Sequence, residues 1–341
     1  MTTTAGATSA PLPEPEGGAA RGRRTRMGAS WGSYLGLLGA LLVMVVFFSL
    51  RSERFFSYST FSTIANQIPS LLVMSVGMTY VLIIGGIDLS VGSVLAVAGS
   101  VLGVAMLQWG WSVWTASLLA LGTGMLFGLL TGSISVLWRI PSFIVSLGVL
   151  EMARGLAYRL TDSRTAYIGG AASGLSVPLA FEISWAFVIA ALIAAAAQVV
   201  LTRTVFGRYL IGIGTNEEAM RLAGVNTRPY RIAVFALMGL FAALASLFQV
   251  ARLEAADPNA GIGAEMQVIA SVVIGGTSLM GGRGSVVNTV LGVLIISVLD
   301  SGLAQIGASE PDKRIITGLV IVAAVVLDTY RSLRAQRIQR G

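Results

Sequence analysis

LSVGSVLAVAGSVLGVAMLQWGWSVWTASLLALGTGMLFGLLTGSISVLW, residues 89–138, runs for fifty positions without a charged side chain. A bilayer core takes about 20 apolar residues per helix, so this run holds two crossings, read at 91–108 and 112–137. A second uncharged run, residues 55–87, precedes it. Outward from these, apolar stretches between polar breaks fall at 32–50, 60–84, 142–160, 184–202, 232–251, 265–280, 286–303 and 313–329. The spacing predicts an all-α polytopic membrane protein of about ten transmembrane helices.

Composition agrees. Over 341 residues the chain is 55% hydrophobic and 11% charged, with mean hydropathy +0.81, whereas soluble domains carry about 25% charge. The transmembrane body reads as residues 31–330, and its loops leave no room for a soluble domain. Residues 1–30, with Pro11, Pro13 and Pro15 among Gly, Ala and Thr, are too polar to fold and are expected to be disordered. They lack a convincing cleavage site and do not read as a signal peptide. Residues 331–341 form a basic tail.

With the amino terminus inside, fifteen of the 23 basic residues fall on the same side. The positive-inside rule then puts both termini and the polar stretch 203–231 in the cytoplasm. The net charge of +7 is accounted for by anchoring to anionic headgroups and calls for no nucleic acid. Cysteine and histidine are both absent, which removes thiolate and imidazole metal sites and the commonest general base. An intramembrane enzyme would have little to work with.

Inside the membrane, Gly124, Gly128 and Gly132 share one helix face, as do Gly99 and Gly103, and predict close helix packing. The stretches 85–93, 139–142 and 280–285 are expected breaks between helices, and Pro69 an expected kink. An internal echo, IGGxxL followed by GSV, links Ile84–Leu89 and Gly92–Val94 to Ile274–Leu279 and Gly284–Val286. It fits structural duplication. Asp88 has two readings, as a cap at the start of the third span or as a carboxylate facing a cavity. Asn66, Gln67 and Gln249 are polar residues at span positions and, with Asp88, are the candidates for the solute path. Glu254 and Asp257 lie in the outer loop expected at 252–264 and are candidates for docking an outside partner.

The stretch 203–231 carries a short helix, Asn216 to Ala223. Thr215, Asn216, Glu217 and Glu218 have the form of a capping box, with the Thr215 hydroxyl accepting from the Glu218 amide and the Glu218 carboxylate returning to Thr215. Gly224 is placed to end the helix in the left-handed conformation. Two turns are marginal alone, and Ala219, Leu222 and Ala223 form an apolar side that needs a partner surface.

GGIDLSVGS at 85–93, IPSFIVSLGVLEMARGLA at 140–157, GRYLIGIGTNEEAMRLAGV at 207–225 and VIGGTSLMGGRGSVVNTVLG at 273–292 together resemble the permease subunits of bacterial ATP-binding-cassette importers for monosaccharides, of the ribose, xylose and arabinose type. The resemblance spans about residues 32–330. It implies a multi-pass protein of the bacterial inner membrane, a permease homodimer, a cytoplasmic ATPase subunit that binds ATP and magnesium, and an extracytoplasmic sugar-binding protein. It also implies that Thr215, Asn216, Glu217, Glu218, Ala219, Met220, Arg221, Leu222, Ala223 and Gly224 form the helix that couples to the ATPase. Where the family pattern has two adjacent alanines after the acids, this chain has Ala219 and Met220. GGRGS at 281–285 lacks the GK[ST] ending of a phosphate-binding loop, so no cofactor is expected on this chain. The alternative is an ion-coupled secondary sugar transporter with Asp88 as its ion site.

Overall fold

The structure, a computed structural model, describes residues 18–179, 182–323 and 326, with side chains from Leu35 onward. Residues 1–17 and the basic tail 331–341 lie outside the described residues. The elements run α1 (Gly18–Arg51), α2 (Tyr58–Ile83), α3 (Val91–Leu107), α4 (Val113–Leu137), α5 (Ser142–Leu160), β1 (Ala166–Tyr167), α6 (Trp185–Arg203), α7 (Val205–Thr215), α8 (Glu217–Leu222), α9 (Arg228–Leu253), β2 (Ala255–Ala256), α10 (Ala264–Ile274) and α11 (Val286–Gln305). A further helical stretch covers 310–323. Among the described residues, α2, α4, α6, α9 and α11 are long and apolar enough to cross a membrane. Helix α1 starts at Gly18, so residues 18–30, expected to be unfolded, continue the helix beyond the three prolines.

Serine and threonine start these helices. Ser57, Ser112, Ser184, Thr204 and Ser285 each accept a hydrogen bond from the amide three residues on, at the heads of α2, α4, α6, α7 and α11. Helix α2 runs unbroken through Pro69 and forms the centre of the bundle, its inner residues packed against α6, α9, α10 and α11. The glycine face of α4 does what its spacing predicts. A side chain at Gly124, Gly128 or Gly132 would strike the backbone or side chains of Phe235, Gly239, Ile232 and Ala243 on α9. Large apolar side chains such as Leu42, Leu118, Leu126 and Leu192 point outward, an arrangement suited to lipid, where close packing rather than water exclusion holds helices together.

Loops that the charge count places on one side meet at one end of the bundle. Gly282 N donates to Ile83 O at 2.8 Å, Gly214 is wedged between them, and Ile87 N donates to Ser142 Oγ at 2.9 Å. At the opposite end β1 pairs with β2, with Ala166 opposite Ala256, and Gln305 Nε2 donates to Thr60 Oγ1 at 2.7 Å.

The internal echo proves similar in form and shifted in register. Both α2 and α10 finish in a Schellman turn, with Gly86 N bonded to Val81 O and Thr277 N to Val272 O. The left-handed residue is Gly85 in the first and Gly276, one place later in the motif, in the second. The GSV portions differ further, since Gly92 lies within α3 while Ser285 caps α11.

The largest departure from expectation lies at 252–280. The outer loop expected at 252–264 turns back into the bundle, and the single span expected at 265–280 is replaced by the 11-residue α10, Ala264–Ile274, and irregular chain after it. Ala256 sits beside Gly103, but the Gly261 carbonyl lies against Gly92. Those glycines are eleven residues apart on α3, so residues 257–263 descend roughly 16 Å along it. Backbone at such depth must be satisfied by protein or water. Arg154 on α5 answers part of that need, donating from one nitrogen to Pro258 O at 2.6 Å and Ala260 O at 2.9 Å. Gly92 has no side chain to block the approach, and Gly261 and Gly263 take the positive φ that the turns require.

Candidate functional site

Three elements position α8. Helix α7 buries Gly207, Leu210 and Ile213 against the bundle, and its Phe206 packs with Tyr80 of α2 and Tyr230 of α9 at ring separations of 6.5 and 5.9 Å. At the end of α7 the chain turns sharply through Asn216 and starts α8 at Glu217. The capping residue is Asn216, not Thr215: Asn216 Oδ1 accepts from Ala219 N at 2.9 Å, while the Thr215 hydroxyl donates back to Ile211 O at 2.7 Å. Thr215 is still the last turn of α7, so its side chain serves the helix before. The expected box does not form: the cap moves one residue on to Asn216, Ala219 three residues later has no side chain to return a bond, and the helix body shortens to Glu217–Leu222.

The far end matches expectation. Gly224 has φ +82°, Gly224 N bonds Arg221 O and Val225 N bonds Met220 O, a Schellman turn. Between the caps the side chains divide. Glu217 turns inward, accepting from Thr227 Oγ1 at 2.7 Å and from Arg231 at 2.8 Å. Met220 is half-buried with its sulfur over Gly212 of α7. Glu218, Ala219, Arg221, Leu222 and Ala223 are left exposed, Leu222 at 83%.

Beside α8 lies a cleft of about 780 Å³ between Arg139, Ile140 and Pro141 of the α4–α5 connection and the start of α9. Arg139, Arg221, Arg228 and Arg231 outnumber Glu217 and Glu218 on its walls. Its field favours an acidic visitor. Arg139 takes φ +56°, so the connection is a sharp corner rather than a continued helix.

The residues expected to line a path are not brought together. Asn66 ties down the chain ahead of α6, donating to Glu182 O at 2.8 Å and accepting from Ser184 N at 2.9 Å. Gln67 is exposed on α2. Asp88 is buried at the α8 end, where its Oδ1 accepts from Ser90 N at 2.9 Å and Ser90 Oγ at 2.6 Å. It fastens the turn ahead of α3 rather than bonding the first amides of that helix, whose N-cap is Ser90. Gln249 borders a cavity of about 10 Å³ between α3, α9 and the descending loop, room for about one water. Asp257 borders the same cavity and accepts from Asn259 N at 2.9 Å. It is half-buried in the loop. Glu254 remains exposed at the end of α9. Sequence reasoning overlooked Gln198 of α6, whose Oε1 accepts from Val286 N at 2.9 Å and caps α11 from another helix.

Comparison with known proteins now bears on the site. Residues 60–325 match the family described as branched-chain amino acid transport system / permease component. The chain belongs to this permease family. The permease is 37% identical over 301 residues to the ribose import permease protein RbsC of Escherichia coli (strain K12), covering 86% of this chain and 92% of that one. It is 30% identical to the fructose import permease protein FrcC of Rhizobium meliloti, covering 86% and 84%, and 32% identical to the autoinducer 2 import system permease protein LsrC of Yersinia pseudotuberculosis, covering 88% of each. These matches take in α8, the cleft and the descending loop of the permease together.

Proposed function

We propose that this chain is the membrane subunit of an ATP-driven importer for a monosaccharide such as ribose or xylose, working as a homodimer in the bacterial inner membrane. The reading has ten crossings, both termini in the cytoplasm, and α8 on the cytoplasmic face. A separate ATPase subunit binds ATP and magnesium and receives α8, and an extracytoplasmic sugar-binding protein delivers solute near Glu254. The observation that carries it is Leu222, an apolar side chain left 83% exposed at the tip of a helix capped at both ends. Such a residue, beside exposed Glu218 and Arg221, is what a groove on another protein would bury.

Mechanically, α8 is well placed to pass on a push. Its carboxylate grips α9 through Arg231, and its parent helix α7 ends where Gly214 touches Ile83 and Gly282. Motion of α8 thus loads α2, α9 and the loop before α11 at once. ATP shifts the balance between inward- and outward-open arrangements only to the extent that the ATPase binds them unequally. The sugar assignment rests on the names of the relatives. Purification of the tagged chain from native membranes tests the reading: an ATPase and a periplasmic-type binding protein should copurify. Uptake in vesicles driven by an ion gradient without ATP would overturn it.

A further inference from the structure

The cleft beside α8 gathers more positive charge than the chain itself answers. Of the four arginines on its walls, Arg231 is held by Glu217 and stands as a fixed charge. Arg139, Arg221 and Arg228 are exposed, and among the described residues none of the three has an ion-pair partner. Glu217 is spent on Arg231 and Thr227, which leaves Glu218 as the other carboxylate on these walls. Like charges crowded into one concavity focus a field that a bound anion relieves.

The backbone adds to this field. Helices α5 and α9 both begin at the cleft, and the residues before them, Pro141 and Thr227, bond no first-turn amide through their side chains. Thr227 gives its hydroxyl to Glu217 instead, and Asn226 takes only Arg228 N, at 3.3 Å. The positive ends of two helices therefore face one space. Position is set as well as charge. Arg139 has φ +56°, a conformation uncommon outside glycine, and Ser135 Oγ pins the corner by donating to Ile140 O at 2.9 Å. An arginine kept at that φ points to a use for its side chain.

We infer that this cleft is a site for a phosphate ester, which bridges Arg139 of the α4–α5 corner, Arg221 of α8 and Arg228 of α9 and so clamps α8 to the bundle. Its volume of about 780 Å³ falls within the range of about 300–1,000 Å³ for small-molecule sites. Guanidinium forks match phosphate oxygens in pairs, and a carboxylate, with only two oxygens, satisfies fewer of the three. Soluble sugar phosphates and the phosphodiester of a lipid headgroup carry the same group. No ATPase is needed for a phosphate to bind, so the inference stands apart from the transport reading.

Hydrogen exchange on the full chain, in a maltoside detergent that carries no phosphate, tests this. Ribose 5-phosphate or dioleoyl phosphatidylglycerol is added, with ribose and dioleoylglycerol as matched probes lacking the phosphate. At least one phosphate probe should slow exchange across residues 217–222 at least threefold while its matched probe does not. Protection by ribose 5-phosphate assigns a soluble ester, and protection by phosphatidylglycerol a lipid headgroup. Arg139→Gln combined with Arg228→Gln should raise the concentration for half-protection at least tenfold. Arg203→Gln combined with Arg208→Gln removes the same charge from arginines that are not on the cleft walls and should change it less than twofold. Each variant is first shown to keep the exchange pattern of α2 and α9 without probe. Protection by neither phosphate probe, or equal weakening by the two double variants, overturns the inference. So does protection that only a copurified ATPase gives, since the cleft would then hold an acidic protein segment. Whether an ATPase copurifies is scored separately with the unmodified chain, so loss of the transport reading and loss of the phosphate site are told apart.

Discussion

Arg231 of α9 donates to Glu217 of α8 across 2.8 Å, and Thr227 donates to the other oxygen of that carboxylate at 2.7 Å. The first acid of the short helix is thus spent inside the chain, which leaves Glu218 to face outward. The same bonds make α8 a rigid extension of α9 instead of a loose loop.

Glu217→Ala should release that docking. Both partners are partly exposed, at 24% and 36%, so solvent screening limits the pair itself. Arg231 Nε is already buried without a partner, and losing Glu217 leaves the guanidinium worse off. Stability should fall by about 1 to 2 kcal/mol. Hydrogen exchange across residues 217–222 should quicken several-fold. Unchanged exchange there would mean α8 is held by something else.

Asn216→Ala and Thr215→Ala separate the two capping assignments. Loss of the Asn216 cap should cost about 1 kcal/mol, seen as a lower thermal midpoint in detergent. Thr215→Ala removes only a bond back to Ile211 and should cost well under half as much. The reverse order would restore the box centred on Thr215.

Gly214→Ala should be among the most damaging single-methyl changes. Its added carbon would run into the Ile83 carbonyl and the Gly282 amide, backbone atoms that cannot swing away. Overpacking of this kind costs about 1 to 3 kcal/mol or more. Gly148→Ala, facing open space, should leave the thermal midpoint unchanged. Equal midpoints for the two variants would refute the junction of α7 with α2.

Much of this fold was legible because membrane spans write themselves as long uncharged runs. The glycine face of α4 and the Gly224 stop were equally plain, each following from local geometry. Residues 252–280 were not. Their hydropathy matches a loop and a span, and the descent of 257–263 depends on Arg154, about a hundred residues earlier, answering the Pro258 and Ala260 carbonyls. The Thr215 cap failed for a related reason: α7 extends through Thr215, and its hydroxyl is claimed by Ile211 first. Asn66 looked like a solute contact because polarity in a span is ambiguous until its partners, Glu182 and Ser184, are seen. Glu151 and Arg154 did carry a signal, two charges in the middle of a 19-residue helix whose third charge, Arg159, lies in its last turn.

On the proposed function an ATPase grips α8 by its exposed tip. Glu218→Ala should weaken that grip, and Leu222→Asp should break it, because a carboxylate in a desolvated pocket loses both packing and solvation. The direct measurement is the amount of ATPase that copurifies with Leu222→Asp relative to the unmodified chain, at equal membrane levels of each. At least a tenfold loss is predicted. Full recovery of the ATPase with Leu222→Asp would contradict the account.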